Sequence, residues 1–120
     1  MPVAQFGVVV LDCPRPRELA DFYAAVLGGT VTGDEEGWVD VEAPGGHRLA
    51  FQQAPDHVAP SWPAPDAPQQ FHLDLTAPDL DAAEKEVLAL GATALDAADR
   101  SRSWRVYADP AGHPFCLCAC

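Results

Sequence analysis

No stretch of the chain approaches the ~20 consecutive apolar residues that a helix needs to cross a bilayer, so a membrane-spanning protein is not expected. Basic residues are also scarce. Seven Lys and Arg stand against 18 Asp and Glu, a formal charge of −11. A field of that sign repels nucleic acid and anionic membrane, so neither is an expected partner, although the same acidity also serves plain solubility. The first residues lack a basic flank followed by an apolar core and a small-residue cleavage site, and a cytoplasmic location is expected. Cys-x-x-Cys pairs, phosphate-cradling glycine loops and nucleophilic serine motifs are all missing. The cysteines are Cys13, Cys116, Cys118 and Cys120. Side chains two apart on a strand lie roughly 6.5–7 Å from each other, too far for an easy disulfide, so free thiols in a reducing compartment are expected.

What is present suits one folded domain: 120 residues, 48% of them hydrophobic. Phe6–Leu11 is a short β-branched run that reads as a buried strand. A turn over Asp12–Arg17 follows, with Pro16 placed for the first turn of a helix. Leu19, Phe22, Tyr23, Val26 and Leu27 then form one apolar helical stripe, stopped by Gly28-Gly29. Strands are predicted at Thr30–Thr32, Trp38–Glu42 and Arg48–Gln53, with turns at Gly33-Asp34 and Pro44-Gly45-Gly46.

Residues 54–68 contain five prolines, which excludes both helix and central strand and marks a semi-rigid linker. The order of events then repeats. A strand is predicted at Gln70–Thr76, a helix at Asp79–Leu90 burying Leu80, Ala83, Val87 and Leu90, and strands at Thr93–Leu95, Trp104–Ala108 and Phe115–Ala119. Pro44–Phe51 superposes on Pro110–Leu117, and Leu27-Gly28 on Leu90-Gly91. An internal duplication follows, with module 1 at about 5–53 and module 2 at about 70–120. The predicted fold is α+β: two βαβββ modules curling into a half-barrel sheet with helices outside and a concave face as the natural ligand site.

This organisation, with Asp21-Phe-Tyr…Val26-Leu-Gly28 in the first helix and Ala108-Asp-Pro-Ala-Gly-His-Pro-Phe115 before the last strand, resembles the glyoxalase/bleomycin-resistance/dioxygenase (vicinal oxygen chelate) superfamily. The bacterial glyoxalase-like branch is the most similar. The resemblance implies a divalent ion held by the first and last strands of each module and chelated by two neighbouring substrate oxygens. Carried over by position, those ligands fall on His72, within Phe71-His72-Leu73-Asp74-Leu75, on Cys116, on Ala50, and on Val8 or Gln5 depending on where the count is anchored, with the helix favouring Val8. Only His72 and Cys116 carry donors, too few to hold Mg²⁺ or Mn²⁺. No metal or other cofactor is therefore expected.

Strand alternation puts Asp74 beside His72, Cys118 beside Cys116, and Gln52 beside Ala50 on the concave face. His72 with Asp74 can act as an acid/base pair beside the Cys116 thiol, or these groups are a hydrogen-bonded histidine and inert buried cysteines. Zinc on His72, Asp74, Cys116 and Cys118 is disfavoured, because the Cys-x-Cys sulfurs lie too far apart on a flat strand. His47 and His113 occupy matching turn positions and read as structural, and His57 as solvated. Trp62 either folds over a pocket mouth or covers core between modules. Trp38 and Trp104 read as packing residues. Arg100, Arg102 and Arg105 read as a solvated strand edge, with attraction of an anionic ligand as the alternative. The preferred function is metal-independent binding of a small, partly apolar molecule by a homodimer. The alternative is a lyase, isomerase or thiol-dependent transferase using His72 with Asp74 or Cys116.

Overall fold

In the computed structural model of the chain, which describes residues 2–61 and 68–119, the first strand β1 runs Val9–Cys13. It starts three residues later than predicted. Its parallel partner first offers a mate at Leu49, opposite Val9, so Phe6 has no ladder to join and lies exposed. Helix α1 (Pro16–Leu27) carries Pro16 in its first turn and ends on Gly28 at φ 67°. There the Gly29 N–H reaches back to the Ala24 carbonyl at 2.8 Å. Strands β2 (Thr30–Glu35), β3 (Trp38–Glu42) and β4 (Arg48–Gln53) complete a sheet of order β1-β4-β3-β2. The turn expected at Gly33-Asp34 lies inside β2, where the ladder register shifts, and the chain reverses instead at Gly37, φ 80°.

The second unit repeats the plan. β5 (Leu73–Thr76), α2 (Leu80–Ala89), β6 (Thr93–Asp96), β7 (Trp104–Ala108) and β8 (Pro114–Cys118) form a sheet of order β5-β8-β7-β6. The chain forms two compact units, residues 1–57 and 58–120, and each holds one βαβββ module with an open four-stranded sheet. The α+β architecture predicted from the repeat is the one observed. Trp62 and Cys120, both singled out in the sequence, lie outside the described residues. No helix among the described residues is long and apolar enough to cross a membrane.

Matching backbone bonds confirm the duplication. Ala43 N–H donates to the His47 carbonyl at 2.7 Å, and Asp109 N–H to the His113 carbonyl at 2.9 Å. Gly46 and Gly112 both take positive φ in these turns, a conformation that favours glycine. The histidines thus mark one structural turn used twice.

The two helix–sheet interfaces differ in chemistry. Module 1 buries Leu19, Phe22 and Tyr23 of α1 against Val39, Val41, Leu49 and Phe51, with Tyr23 stacked on Phe51 at 5.7 Å. Module 2 buries only Val87 of α2, and Leu90 is exposed, against expectation. Here α2 ends at Ala89, one residue short of Leu90. The place of Val39 is taken by Arg105, and that of Val41 by Tyr107. Arg105 is 3% exposed, so it does not lie on a solvated edge. Its Nη2 meets Asp81 at 2.9 Å, and the Tyr107 hydroxyl donates to Glu84 at 2.8 Å. Helix α2 is tied to its sheet by polar contacts where α1 uses aromatic ones.

Candidate functional site

Parallel pairing of β5 with β8 sets Asp74 opposite Cys116 and Thr76 opposite Cys118. Alternation then assigns the faces. Leu73, Leu75, Phe115 and Leu117 point to α2, while Asp74, Thr76, Cys116 and Cys118 share the face away from the helix. His72 sits just before β5, two residues from Asp74, and joins the same face. Its Nε2 lies 3.2 Å from Asp74 Oδ1. A ring nitrogen of His72, a carboxylate oxygen of Asp74 and Sγ of Cys116 all fall within 4.8 Å of one another.

Exposure divides the trio. His72 and Asp74 side chains are 39% and 69% exposed, whereas Cys116 is 8% exposed. Burial first, then the Asp74 charge and a hydrogen bond to its carboxylate, push the Cys116 thiol up to about 11 from its ordinary 9.0, with Arg102 acting in the opposite sense. The metal-free thiol is therefore protonated at neutral pH and is not an activated nucleophile.

Two neighbours on this face were not assigned to it from sequence. Trp104 stands opposite Cys118 on β7, and the Arg102 guanidinium lies over its ring at 3.9 Å from the centroid. Arg102 also grips Asp96 with both terminal nitrogens, at 2.9 and 3.3 Å. Trp104 is partly exposed, so it is not a core packing residue. Arg100 pairs with Glu84 at 2.9 Å. Arg102 and Arg105 do not read as a simple solvated edge, whereas Arg100 is exposed as expected. The available signal was the repeat itself: Trp38 and Trp104 hold the same ladder position, opposite Gln52 and Cys118.

The same register settles the equivalences in module 1. Val10 stands opposite Ala50 as Asp74 stands opposite Cys116, so Val8, and not Gln5, corresponds to His72. Val8 and Ala50 carry no donor atom. Gln52 lies exposed near the end of β4 in the first unit, at the position of Cys118. One cysteine expectation fails. Cys13 and Cys116 are thiols, but Cys118 is disulfide-bonded.

Comparison with known proteins agrees with this fold. The model of the family described as "Glyoxalase-like domain" matches residues 8–118. The fold is similar to a possible glyoxalase from Bacillus cereus, at TM-score 0.71 and 13% identity over 92% of this chain and 95% of that one. A glyoxalase/bleomycin resistance protein/dioxygenase family enzyme from Burkholderia phytofirmans matches at TM-score 0.71 and 15% identity, over 92% and 94% of the two chains. A glyoxalase family protein from Enterococcus faecalis matches at 0.69 and 17%, over 97% and 98%. At these identities the likeness is one of fold. No curated protein matches the chain.

Proposed function

The chain belongs to the glyoxalase-like domain family, a branch of the vicinal oxygen chelate superfamily, and from that premise we propose that it binds a small, partly apolar molecule on the helix-distal face of module 2. Binding would not depend on the hard divalent ion of the superfamily's enzymes. The observation that carries this reading is the contrast between donor-free Val8 and Ala50 in module 1 and the polar trio His72, Asp74 and Cys116 at and beside the equivalent positions of module 2. Mg²⁺ and Mn²⁺ need about six oxygen-rich donors and hold them against water only when charge and number suffice. His72 and Cys116 alone do not meet that need. What remains is a recognition surface. Asp74 and His72 supply hydrogen bonds and charge, Trp104 supplies a flat apolar wall, and Arg102 frames it.

The reading includes a cytoplasmic homodimer. Phe6 and Phe71 lie exposed shortly before β1 and β5, each an edge strand of its sheet, where a second copy could cover them. Sedimentation of the purified chain checks the dimer. The binding test is a screen of small metabolites and antibiotics in the presence of a chelator, followed by Trp fluorescence or NMR. Saturable binding lost in His72→Ala supports the proposal, and no saturable ligand across a broad screen counts against it. A second reading rests on the 3.2 Å contact of His72 with Asp74, an acid/base pair suited to a lyase or isomerase. Turnover that survives His72→Ala would remove it. Its thiol-transferase version is the weaker one, because the Cys116 proton is held too firmly.

A further inference from the structure

Imidazole nitrogen, carboxylate oxygen and thiol sulfur stand together in module 2, on His72, Asp74 and Cys116, within 4.8 Å of one another. We propose that these three residues hold one thiophilic divalent cation of the zinc class, within module 2 alone. The proposal shares its residues with the ligand-binding reading but does not rest on it.

Tetrahedral zinc with bonds of about 2.0–2.3 Å sets its donors roughly 3.3–3.8 Å apart. His72 Nε2 and Asp74 Oδ1 already lie 3.2 Å apart, and the remaining separations need to close by only about an ångström. The β5/β8 ladder fixes the frame, because Asp74 and Cys116 are register partners on adjacent strands. His72 and Asp74 are exposed enough to turn toward an ion without disturbing the core. One carboxylate and one thiolate neutralise a dication, and the neutral imidazole adds a third bond without charge. Coordination would release the thiol proton to solvent. The fourth position stays open to water or to a ligand atom.

This arrangement departs from the one the superfamily resemblance implies, in which both modules contribute ligands. Asp74 is recruited in place of donors that Val8 and Ala50 cannot supply. Replacement of an oxygen donor by sulfur also shifts preference from magnesium toward zinc, cadmium and cobalt. The objection to zinc in the sequence reading concerned the reach of both sulfurs in Cys-x-Cys. With Asp74 as third ligand, Cys118 is not needed.

The test uses the full chain stripped with chelator and titrated with Zn²⁺, Co²⁺ and Mg²⁺. One Co²⁺ per chain is expected, with the visible spectrum of a tetrahedral site and a sulfur-to-cobalt charge-transfer band, both displaced by Zn²⁺ and unaffected by equal Mg²⁺. The band should vanish in Cys116→Ser. Loss of an outer-shell partner alone costs metal sites about 10–100-fold in affinity, so Asp74→Asn and His72→Ala should each weaken binding at least tenfold. Both positions are exposed, and circular dichroism checks that the variants fold. Failure of the wild-type chain to bind Co²⁺, a band that persists in Cys116→Ser, or displacement by equal Mg²⁺ would overturn the proposal. Ligand binding is measured in chelator, so either idea can fail without the other.

Discussion

Asp74 on β5 and Cys116 on β8 face each other across a parallel ladder, in the register that sets Val10 against Ala50 in the first module. One pair is polar and the other apolar, although the two backbones are built alike. The duplicated fold therefore carries its donor chemistry in module 2.

That pairing has a chemical consequence for the thiol. In metal-free protein, alkylation of Cys116 by iodoacetamide is expected to stay slow at pH 7–8 and to rise only as pH approaches about 11. Asp74→Asn removes the neighbouring charge, so the thiol should ionise at lower pH and react faster, though burial keeps it above an ordinary cysteine. A folded-state value above the unfolded one also means that the protonated thiol favours the fold. This contribution is complete below about pH 9 and fades as pH climbs toward about 11. Mass spectrometry of the Cys116 peptide across a pH series reads the rates. An Asp74→Asn profile that coincides with wild type would refute the coupling.

Much of this was legible before any coordinates. Pro16, the Leu19–Leu27 stripe and Gly28 delimit α1 because capping and periodicity are local properties. β3, β4 and β7 matched their predicted bounds for the same reason: alternation and turn glycines surround them. His72 and Cys116 were singled out by the superfamily resemblance, and the structure sets both beside Asp74. The misreadings were at places decided by distant residues. β1 begins where β4 offers a partner, Gly33 sits in a strand because β3 pairs with it, and Arg105 is buried because α2 supplies Asp81. No local pattern around Arg105 separates it from the exposed Arg100.

Adjacent glycines after α1 are expected to respond differently to one methyl group. Gly28 has positive φ and open space around the missing Cβ, so Gly28→Ala should cost about 1–2 kcal/mol through backbone strain alone. Gly29 lacks that conformation, but a Cβ there would stand 2.8 Å from the Glu42 carbonyl oxygen. Backbone cannot step aside as a side chain can, so Gly29→Ala should be the more damaging of the two. Urea unfolding of both variants decides the order, and equal midpoints would contradict it.

In the turn before β8, the buried Asp109 carboxylate accepts from the Ala111 and His113 N–H groups at 2.9 and 3.0 Å. Module 1 makes the corresponding backbone turn with Ala43 and no carboxylate. Asp109→Ala should therefore leave the turn formable but remove these two hydrogen bonds, at a cost of about 1–3 kcal/mol. Asp109→Asn keeps an acceptor oxygen and should recover a large part of that loss. Chemical denaturation of the three proteins is the measurement, and an Asn variant no better than Ala would mean that charge, not hydrogen bonding, matters there.

Arg105 offers the sharpest comparison between the modules, since it fills beneath α2 the position that Val39 fills beneath α1. Its partners do not depend on it equally. Asp81 is 84% exposed and returns to water if the guanidinium is removed. Glu84 keeps Arg100 at 2.9 Å and the Tyr107 hydroxyl at 2.8 Å. Neither acid is left buried without a partner, which is the condition under which deleting half of an ion pair becomes severe. The guanidinium, meanwhile, leaves Nε and Nη1 without a hydrogen bond. Arg105→Leu should consequently hold Tm near wild type or raise it, because apolar volume replaces imperfectly satisfied charge. Arg105→Ala should lower Tm clearly, by opening a cavity under a helix that buries only Val87. If Leu proves as harmful as Ala, the ionic contacts rather than the filled volume anchor α2, and the polar interface of module 2 is then its main support.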